Sequence, residues 1–354
     1  MKEEKLFQSL QEVDYDGDIR GVVEQLKSIL SQVSPPKSSS IPASGIVLIG
    51  GGSGTPTVGR ALHHLGISDF SVFANTGEIE KKDGQLVGAG LVRVTFESID
   101  FLDITKQSTQ SRPEAERNTW HTLLDQKGDH RWKRNGYLIV EAARQLWGIQ
   151  PAIDFINGLM NNGYRVAPTT EERTELKFVI DGQPLDLYEY AFRADQSRLA
   201  EELVLEPAAS LGATAKQTLS QAKVACIGPG DVHFSVGFHF AVDGFTEALA
   251  EVEKIILVSN LTARKIDIPG FKLTNFLDWY DRYLPAGKEI SVLVNKAEVE
   301  TDEEKLEDDV AGDQYGRFRL YRAPIAGTAL SANKQLIHDE QLLAKALAPL
   351  LPSS

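Results

Sequence analysis

The stretch that decides the fold is Ile46-Val47-Leu48-Ile49-Gly50-Gly51-Gly52-Ser53-Gly54-Thr55. Its four β-prone apolar residues, with no polar interruption, predict a strand buried on both faces. The glycines that follow let the backbone turn sharply into a helix, which we expect from Thr57 to Leu65. Without side chains, the glycines allow backbone N–H groups to approach an anion, and the helix directs the positive end of its dipole toward it. The stretch therefore predicts a phosphate-binding turn, with a tight turn that binds no ligand as the alternative.

This glycine pattern differs from the two standard nucleotide-binding fingerprints. Gly52 and Gly54 supply the first two glycines of G-x-G-x-x-G, but Thr57 stands at the position of the third. The sequence also contains no G-x-x-x-x-G-K followed by Ser or Thr. Both observations disfavour a nicotinamide-dependent Rossmann enzyme and a P-loop NTPase.

Composition and charge limit the classes of function. The chain has 354 residues, of which 42% are hydrophobic, which is enough for a well-buried core in one large domain or two ordinary ones. A net charge of −13 argues against broad binding to nucleic acid or anionic membranes, because both use clustered Lys and Arg. The single cysteine, Cys226, lies in an apolar run and is expected in the core rather than as a nucleophile. No signal-peptide pattern opens the chain and no apolar run approaches the roughly 18 residues of a membrane span, so we expect a cytoplasmic protein.

The N-terminal region is predicted to be separate from the main domain. Residues 1–33 carry apolar residues at helical spacing, namely Ile19, Val22, Val23, Leu26, Ile29 and Leu30. This pattern predicts an amphipathic helix that packs on the main domain or on a partner subunit, and it is compatible with a homodimer. A Pro- and Ser-rich linker follows. We therefore divide the chain into a helix and linker over 1–43 and a single α/β domain over 44–354.

Strands and helices alternate along the main domain. Strands are predicted at 46–49, 70–74, 165–168, 176–180, 224–227, 254–258 and 290–294, with further β structure at 185–192 and 204–206. Helices are predicted at 137–147, 153–160, 207–222, 245–250, 276–283 and 335–351. Alternation of this kind is typical of an α/β, Rossmann-like, doubly wound and mostly parallel sheet with helices on both faces and inserted α/β segments.

Small and polar residues follow several of these strands. The carboxyl ends of parallel strands share one edge of the sheet, where open α/β sheets bind their ligands, so we expect one crevice there. The predicted ligand-binding residues are Gly50, Gly51, Gly52, Ser53, Gly54, Thr55, Asn75, Thr76, Gly228, Pro229, Gly230, Ser235, Asn260 and Thr262.

An acidic cluster and a segment rich in basic residues lie near this edge in the sequence. Glu78, Glu80 and Asp83 form an acidic cluster that could hold a divalent cation, or be a solvated turn. Residues 97–135 are polar and irregular, as expected of a lid or insertion. The basic residues of this segment could bind a pyrophosphate from above, or they could be ordinary surface charges. They are Arg112, Arg117, His121, His130, Arg131, Lys133 and Arg134.

Asp231, His233 and Ser235 raise the question of a hydrolase triad. No G-x-S-x-G elbow surrounds Ser235, and three triad members so close in one loop rarely align. The sequence therefore disfavours a Ser-His-Asp hydrolase. The acidic run at 298–309 is expected to be a solvated face or insertion.

Four motifs now stand in order: GGGSGT at 50–55, NTGE at 75–78, GPGDVHFS at 228–235 and SNLT at 259–262. Over about residues 45–296 this set resembles the 2-phospho-L-lactate transferase and gluconeogenesis-factor (CofD/YvcK-like) family. That family pairs a GGGTG-like first turn with paired aspartates in the second turn and a GPGSLYTS-like third turn. The stretch at 135–139, NGYLI, is similar to the family's GNLLL helix start, and VAPTT at 166–170 is similar to its V-L-P-x-T strand end.

The resemblance implies a Rossmann-like crevice whose glycine turns bind a nucleoside-diphosphate ligand. One branch of the family transfers phospholactate from a guanosine-linked diphosphate to a deazaflavin precursor with magnesium, and the other resembles a regulator that binds UDP-sugars. Where the family has paired aspartates, this chain has Gly77-Glu78-Ile79. The resemblance therefore carries the metal-binding carboxylates over to Glu78 alone. In the transferase hypothesis Glu78 is the catalytic carboxylate, and Glu78 and Glu80 are the magnesium ligands. Asp231 stands where the third motif of the family has a serine.

We expect a protein that binds a nucleoside-diphosphate-linked metabolite of the UDP-sugar type, as a regulatory protein similar to the gluconeogenesis factors. The alternative is a magnesium-dependent enzyme similar to the 2-phospho-L-lactate transferases, in which positioning and charge neutralisation would provide the catalysis. A third hypothesis, of another class, is an interaction platform that binds partners through the N-terminal helix and the acidic run at 298–309.

Overall fold

The described part of the chain has an α/β architecture. The computed structural model describes residues 1–15, 18–36, 43–50, 54–76, 80–82, 85–87, 120, 123–124, 135–160, 164–186, 189–190, 200–263, 272–297, 305–330 and 336–352. The strands are β1 (Ile46–Ile49), β2 (Ser71–Ala74), β3 (Glu80–Lys82), β4 (Gln85–Val87), β5 (Arg165–Pro168), β6 (Glu175–Ile180), β7 (Gln183–Leu185), β8 (Glu202–Glu206), β9 (Val224–Ile227), β10 (Lys254–Val258), β11 (Ile290–Asn295), β12 (Gln314–Tyr315), β13 (Phe318–Ala323), β14 (Ala326–Leu330) and β15 (Leu336–His338). The α-helices are α1 (Glu3–Gln11), α2 (Ile19–Leu30), α3 (Gly54–His64), α4 (Asn135–Trp147), α5 (Ile149–Met160), α6 (Ala213–Gln221), α7 (Gly237–Ala241), α8 (Phe245–Ala250), α9 (Leu273–Tyr283) and α10 (Glu340–Leu347), and a π-helix spans Val232–Val236.

One large sheet organises these elements. Among the described strands, eight pair in the order β12-β13-β11-β10-β9-β1-β2-β5. Every pair from β13 to β5 is parallel, whereas the edge pair β12–β13 is antiparallel. From β1 the chain winds through β2 to β5 on one side, and from β9 it winds through β10 and β11 to β13 on the other. The direction of winding therefore reverses between β1 and β9, and the predicted doubly wound, mostly parallel sheet is confirmed.

The two faces of the sheet are covered by separate cores. Successive side chains of a strand point to opposite faces, so Val47 and Ile49 enter one core while Ile46 and Leu48 enter the other. Side chains of α8 and α9 complete the first core, and side chains of α3 and α10 complete the second. Burial of a side chain such as Leu48 contributes roughly 1.5–3 kcal/mol, so the fully buried central strands are a main source of stability. None of the described helices has the length and apolar character needed to span a membrane.

Cys226 lies in the second core, as the sequence predicted. It is fully buried on β9, where it pairs in register with Leu48 of β1. Burial raises the pKa of its thiol to about 12. The group therefore stays protonated at neutral pH and is not an activated nucleophile.

The N-terminal region forms two helices rather than the one expected over residues 1–33. Both α1 and α2 bury apolar side chains against α4 and α5 in a third core, in which Leu26 and Leu30 are fully buried. Trp120 joins this core, because its ring packs on Phe7 with the centroids 4.9 Å apart and its Nε1–H donates to Glu3 Oε1 at 3.2 Å. The amphipathic face thus packs on the rest of the chain, which is one of the two outcomes that the sequence allowed. The domain boundary near residue 44 stays a prediction.

The helix predicted at 207–222 begins later, at Ala213. Tertiary hydrogen bonds occupy the residues before it: Leu211 N–H donates to the Asp243 carbonyl at 2.9 Å, and Gly212 N–H donates to the Thr169 carbonyl at 2.9 Å. These bonds hold the segment against the end of β5 in a non-helical conformation. The helical periodicity at 207–212 was therefore overridden by pairing with distant backbone.

The β structure predicted at 185–192 is also wrong at Glu189 and Tyr190, the described residues that are helical, whereas β7 ends at Leu185. Asp186 and Glu189 form a reciprocal capping box: Glu189 N–H donates to Asp186 Oδ1 at 2.8 Å and Asp186 N–H donates to Glu189 Oε2 at 3.3 Å. Such a box starts a helix, and Glu189 and Tyr190 are helical. The Asp-x-x-Glu spacing was a local signal of this helix start that the sequence analysis missed.

The C-terminal helix predicted at 335–351 divides into a strand and a helix. Residues Leu336–His338 form β15, which pairs with β14, and α10 begins at Glu340. Asp339 separates them because its side chain caps the helix, accepting the Leu342 N–H at 2.8 Å.

The described end of the acidic run at 298–309 is exposed to solvent, as expected of a solvated face, and it also bonds to the rest of the chain. Asp309 accepts the backbone N–H and the hydroxyl of Thr274 at the start of α9, at 3.0 and 2.8 Å. Asp308 pairs with Arg322 of β13. These carboxylates tie the run to the main sheet, so in this part of the chain their charge is engaged within the molecule.

The buried imidazole of His338 makes stability depend on pH. Burial lowers the pKa of His338 to about 4, a shift that its hydrogen bond to the Ser259 carbonyl, at 3.1 Å, offsets in part. In the unfolded chain the pKa of His338 is about 6.5, so the unfolded state binds a proton more tightly than the folded state does. The contribution of neutral His338 to folding stability is therefore fully present above pH 6.5 and is lost as the pH falls toward 4. Between pH 7 and pH 5 we expect His338 to account for a loss of about 2 kcal/mol.

Urea unfolding of the wild type and of His338→Gln at pH 7 and pH 5 tests this expectation. The variant keeps a polar group but has no imidazole to titrate, so its stability should fall by about 2 kcal/mol less over the same interval. Equal losses in both proteins would contradict the assignment.

Candidate functional site

The two glycine turns lie side by side at the edge of the large sheet. Gly50 follows β1 and Gly228 follows β9, two adjacent parallel strands in which Ile49 pairs with Ile227. Gly228 N–H donates to the Ile49 carbonyl at 2.9 Å and continues this pairing past the end of β9. Because the winding of the sheet reverses between these strands, the turns stand at its topological switch point, where open α/β sheets bind ligands. The expectation that both turns share one edge is confirmed.

Glycine is required where the turns touch each other and the following helix. A Cβ on Gly54 would overlap the carbonyl group of Pro229, and a Cβ on Gly50 would overlap the hydroxyl of Thr55. At Gly228 an added Cβ would meet Thr55 at ordinary contact distances of 3.5 Å and more. Close packing of the protein on itself therefore explains Gly50 and Gly54, independently of any ligand. Gly51, Gly52 and Ser53 lie outside the described residues.

Helix α3 begins three residues earlier than predicted, at Gly54 instead of Thr57. The first turn thus contains Gly54, Thr55 and Pro56. The first N–H groups of a helix have no partner within it and carry its positive dipole end, and Pro56 fits there because it has no N–H to lose. The start of α3, with the positive end of its dipole, therefore lies beside the second glycine turn.

The Thr55 hydroxyl is the notable polar group at this point. Its side chain is fully buried between Gly50 and Gly228, and Oγ1 has no hydrogen-bond partner among the described residues. A buried hydroxyl without a partner costs roughly 1–3 kcal/mol. Such a group at a helix start is suited to donate to an oxygen of a bound anion.

The second glycine turn is fixed by its own hydrogen bonds. The Asn260 side chain pairs with the Gly230 peptide: Gly230 N–H donates to Oδ1 at 2.9 Å, and Nδ2 donates to the Gly230 carbonyl at 2.9 Å. Gly228 N–H is used by Ile49, and Pro229 has none. The backbone N–H groups of residues 228–230 are therefore committed within the protein, so this turn is a rigid wall and not a second set of anion donors. Asn260 supports that wall.

Asp231, which stands where a serine was expected from the resemblance, begins the π-helix. Its Oδ1 accepts the backbone N–H of His233 at 2.9 Å, and its carbonyl accepts the N–H groups of Ser235 and Val236 at 3.0 and 3.2 Å. Only 3% of Asp231 is exposed. Capping of the π-helix is a structural reason for an acidic residue at this position.

The arrangement excludes a Ser-His-Asp triad in these three residues. The carboxylate of Asp231 bonds the main chain of His233, and neither ring nitrogen of His233 has a hydrogen-bond partner within the described structure. The ring is enclosed by Phe178, Tyr190 and Trp279. Burial lowers the pKa of His233, which Asp231 offsets and Arg282 reinforces. The disfavoured hydrolase hypothesis is thus also disfavoured by geometry.

The other predicted wall residues are buried at the ends of their strands. Asn75 and Thr76 follow β2, and the Thr76 hydroxyl donates to the Thr170 carbonyl after β5 at 3.3 Å. Ser235 lies in the π-helix. Thr262 pairs with Lys305 in an isolated bridge. The structure therefore brings the ends of β1, β2, β9 and β10 to one edge, but it uses several of the predicted side chains to hold backbone.

Two residues of this edge were not predicted. His239 of α7 is fully buried and contacts Gly50 and Thr169. Thr169 follows β5 in the stretch that resembled a family strand end, but no site role was assigned to it. The only local sequence signal for a role of His239 was its position, as a polar residue, between Phe238 and Phe240.

The described residues contain no group of three or more His, Cys, Asp or Glu that could hold a metal ion. Glu78 and Asp83 lie outside the described residues, and of Glu80 only the backbone, at the start of β3, is described. The basic residues predicted between positions 112 and 134 also lie outside them. Metal ligation by Glu78 and Glu80 stays a prediction.

Comparison with known proteins supplies a family and a fold. A family model described as 2-phospho-L-lactate transferase CofD matches residues 46–320. A crystal structure of a UPF0052 family member from Bacillus halodurans has a TM-score of 0.68 and 15% sequence identity, covering 85% of this chain and 98% of that chain. Another crystal structure from the same organism has a TM-score of 0.66 and 15% identity, with 86% and 98% covered. At this identity the structures establish the fold alone. Among curated proteins, none matches the chain significantly.

The contact between the two turns predicts the effect of Gly54→Ala. The added Cβ would overlap the Pro229 carbonyl, so we expect a loss of about 1–3 kcal/mol in the free energy of unfolding. Gly158→Ala is the matched control, because Gly158 is exposed in α5 and an added Cβ there meets nothing within 4 Å. That control should gain about 0.5–1 kcal/mol.

Chemical denaturation of both variants measures the difference. If Gly54→Ala were as stable as the wild type, the close approach of the two turns would be wrong.

Proposed function

The chain belongs to the 2-phospho-L-lactate transferase CofD family, and from this premise we propose that it binds a nucleoside-diphosphate-linked metabolite of the UDP-sugar type as a regulatory protein similar to gluconeogenesis factors. The ligand would lie in the crevice between the Gly50–Thr55 and Gly228–Ser235 turns. Its diphosphate would meet the start of α3. This siting places the most negative part of the ligand at the positive end of a helix dipole.

The observation that carries the proposal is the buried Thr55 hydroxyl. It lies at the helix start, between the two turns, without a partner among the described residues. A phosphoryl oxygen would accept its hydrogen bond and remove the cost of leaving it unpaired. The N–H groups of Gly228 and Gly230 are already bonded within the protein, so the backbone donors for the ligand would come from the start of α3.

The remaining predicted residues take two roles in this proposal. Gly51, Gly52 and Ser53 complete the loop that would surround the diphosphate, and Asn75, Thr76 and Thr262 would line the wall beyond it. Gly228, Pro229, Gly230 and Asn260 would act through shape, as a rigid wall against which the ligand lies. A homodimer stays a proposal that the described residues leave open.

Thr55→Val separates ligand binding from folding. Val keeps the shape and removes the hydroxyl, so the free protein should be as stable as the wild type or more stable. Affinity for UDP or GDP, measured by isothermal titration calorimetry, should fall at least about tenfold, because a hydrogen bond to a charged group contributes about 1.5–3 kcal/mol. Opposite signs of the two effects would identify Thr55 as a ligand contact.

The matched control is Thr218→Val in α6. Its hydroxyl is buried like that of Thr55 but donates to the Thr214 carbonyl at 2.8 Å, within its own helix. This variant should lose some stability and no nucleotide affinity. Unchanged affinity in Thr55→Val would show that the diphosphate does not bind at the start of α3.

A second candidate function is a magnesium-dependent transferase similar to the 2-phospho-L-lactate transferases, favoured by the description of the matching family model. Magnesium would supply neutralisation of charge on the transferred phosphoryl group. The described residues do not fit a magnesium site, since they form no cluster of three metal-ligating side chains, and Asp231 already accepts a backbone hydrogen bond. Glu78 and Glu80 are the proposed ligands, and we derive no catalytic step through the ion.

Thermal unfolding with UDP-glucose and with GDP, each with and without magnesium, distinguishes the two candidates. A ligand at about 100 times its dissociation constant adds roughly 2.7 kcal/mol to the stability of the native state. Stabilisation by UDP-glucose without metal is the result expected for the regulatory protein. Stabilisation by GDP only with magnesium, and its loss in Glu78→Gln with Glu80→Gln, would favour the transferase instead.

A further inference from the structure

A fully buried histidine connects the first glycine turn to the neighbouring strand ends. His239 Nε2 lies 3.0 Å from the Gly50 carbonyl oxygen, and Nδ1 lies 2.6 Å from Thr169 Oγ1. Thr169 in turn bonds the end of β2, because its N–H and its hydroxyl contact the Ala74 carbonyl at 3.2 and 3.3 Å. The ends of β1, β2 and β5 are thereby joined by one chain of hydrogen bonds.

The chemistry of the partners fixes one proton on the ring. A carbonyl oxygen can only accept, so His239 Nε2 must carry a hydrogen and donate it to Gly50. In the neutral ring the Thr169 hydroxyl then donates its single hydrogen to Nδ1, and only the Thr169 N–H is left to bond the Ala74 carbonyl. In the charged ring Nδ1 donates to Thr169, and the hydroxyl donates to Ala74. In both states the bond to the Gly50 carbonyl is the same.

Aromatic neighbours hold the ring in this orientation. Phe245 lies at a centroid distance of 5.7 Å with an interplanar angle of 33°, and Phe238 lies at 5.9 Å and 76°. Rotation of the imidazole away from Gly50 would break two hydrogen bonds inside a packed core. The ring is therefore a rigid support and not a mobile surface group.

The held carbonyl has a consequence for the crevice. In a planar trans peptide the carbonyl oxygen and the following N–H point to opposite sides. Gly50 has no side chain to limit its backbone, so its carbonyl oxygen could otherwise turn toward the crevice. An oxygen in that place would repel a phosphate, whereas an N–H would bind it.

We propose that His239 is a positioning residue for anion binding: from α7 it holds the Gly50 carbonyl, and it thereby keeps this oxygen from turning toward the diphosphate. This inference rests on the proposed function, to which it adds the residue that sets the polarity of the loop. Thr169 acts one step further away, by fixing the ring.

Two substitutions of His239 separate the contact from the imidazole. In His239→Gln the amide nitrogen reaches about as far as Nε2 and keeps the bond to Gly50, whereas in His239→Asn it reaches only as far as Nδ1 and keeps the bond to Thr169. Both variants lose the ring and its packing. Measured with UDP and GDP by calorimetry, the Gln variant should bind within about threefold of the wild type and the Asn variant about tenfold more weakly. Equal affinities in the two variants would overturn the proposal.

Thr169→Val and Thr169→Ser provide a milder pair in case the His239 variants unfold. Val keeps the shape and removes the hydroxyl that holds Nδ1, and Ser keeps the hydroxyl. We expect a severalfold loss of nucleotide affinity in the Val variant and at most a twofold change in the Ser variant, with both folded by circular dichroism. An unchanged Val variant would contradict the role given to the ring.

A readout without ligand distinguishes this inference from the proposed function. In ¹⁵N-histidine spectra of the wild type, His239 should show a protonated Nε2, and His239→Gln identifies its signal by removal. If the wild type bound neither UDP nor GDP but showed this signal, the proposed function would be wrong, whereas the hydrogen bond from His239 to the Gly50 carbonyl would be supported. Protonation at Nδ1 alone would overturn the inference, whatever the wild type binds.

Discussion

The structure depends on the close approach of two glycine turns at the point where the winding of the sheet reverses. Gly54, at the start of α3, touches the carbonyl of Pro229 so closely that no side chain fits between them. This contact is possible because β1 and β9 are adjacent and in register, with Ile49 beside Ile227. Once the strands are paired, the turns must converge, and the helix that follows the first turn begins against the second. The pairing of β1 with β9 therefore sets both the position of the crevice and the need for glycine in the turns.

The two turns look alike in sequence but differ in their chemistry. The second is closed on itself, since Gly228 and Gly230 give their N–H groups to Ile49 and Asn260. In the first turn the Gly50 carbonyl is bonded by His239, and the chain leads into the start of α3. Hydrogen bonds made by the backbone of one turn are unavailable to a ligand, so a wall and a binding loop arise from similar motifs. This division also explains how an acidic residue, Asp231, is tolerated in the wall: it caps the π-helix.

Several buried polar groups around the crevice position backbone. Asn260, Thr76, Thr169 and His239 each bond a main-chain carbonyl or a residue that holds one. Such groups are costly to bury unless paired, and paired they fix one conformation of the loops. The Thr55 hydroxyl departs from this pattern, as do the His233 ring and the Ser259 hydroxyl, because none of them has a hydrogen-bond partner among the described residues. A site whose surroundings are rigid and whose own hydroxyl, that of Thr55, is unpaired among the described residues is organised for binding before a ligand arrives.

The sequence by itself determined the doubly wound sheet, because buried strands and helical stripes are local patterns of period two and about 3.6. It also placed small and polar residues after β1, β2, β9 and β10, and the shared edge followed from the parallel order. Only the tertiary structure decided what those residues do. The bond from His239 to Gly50 joins positions 189 residues apart, and that from Asn260 to Gly230 joins positions 30 apart. Local patterns predict elements, but they carry no information about which donor meets which acceptor once the elements pack. For the same reason the start of α3 moved to Gly54, where the neighbouring turn supports it.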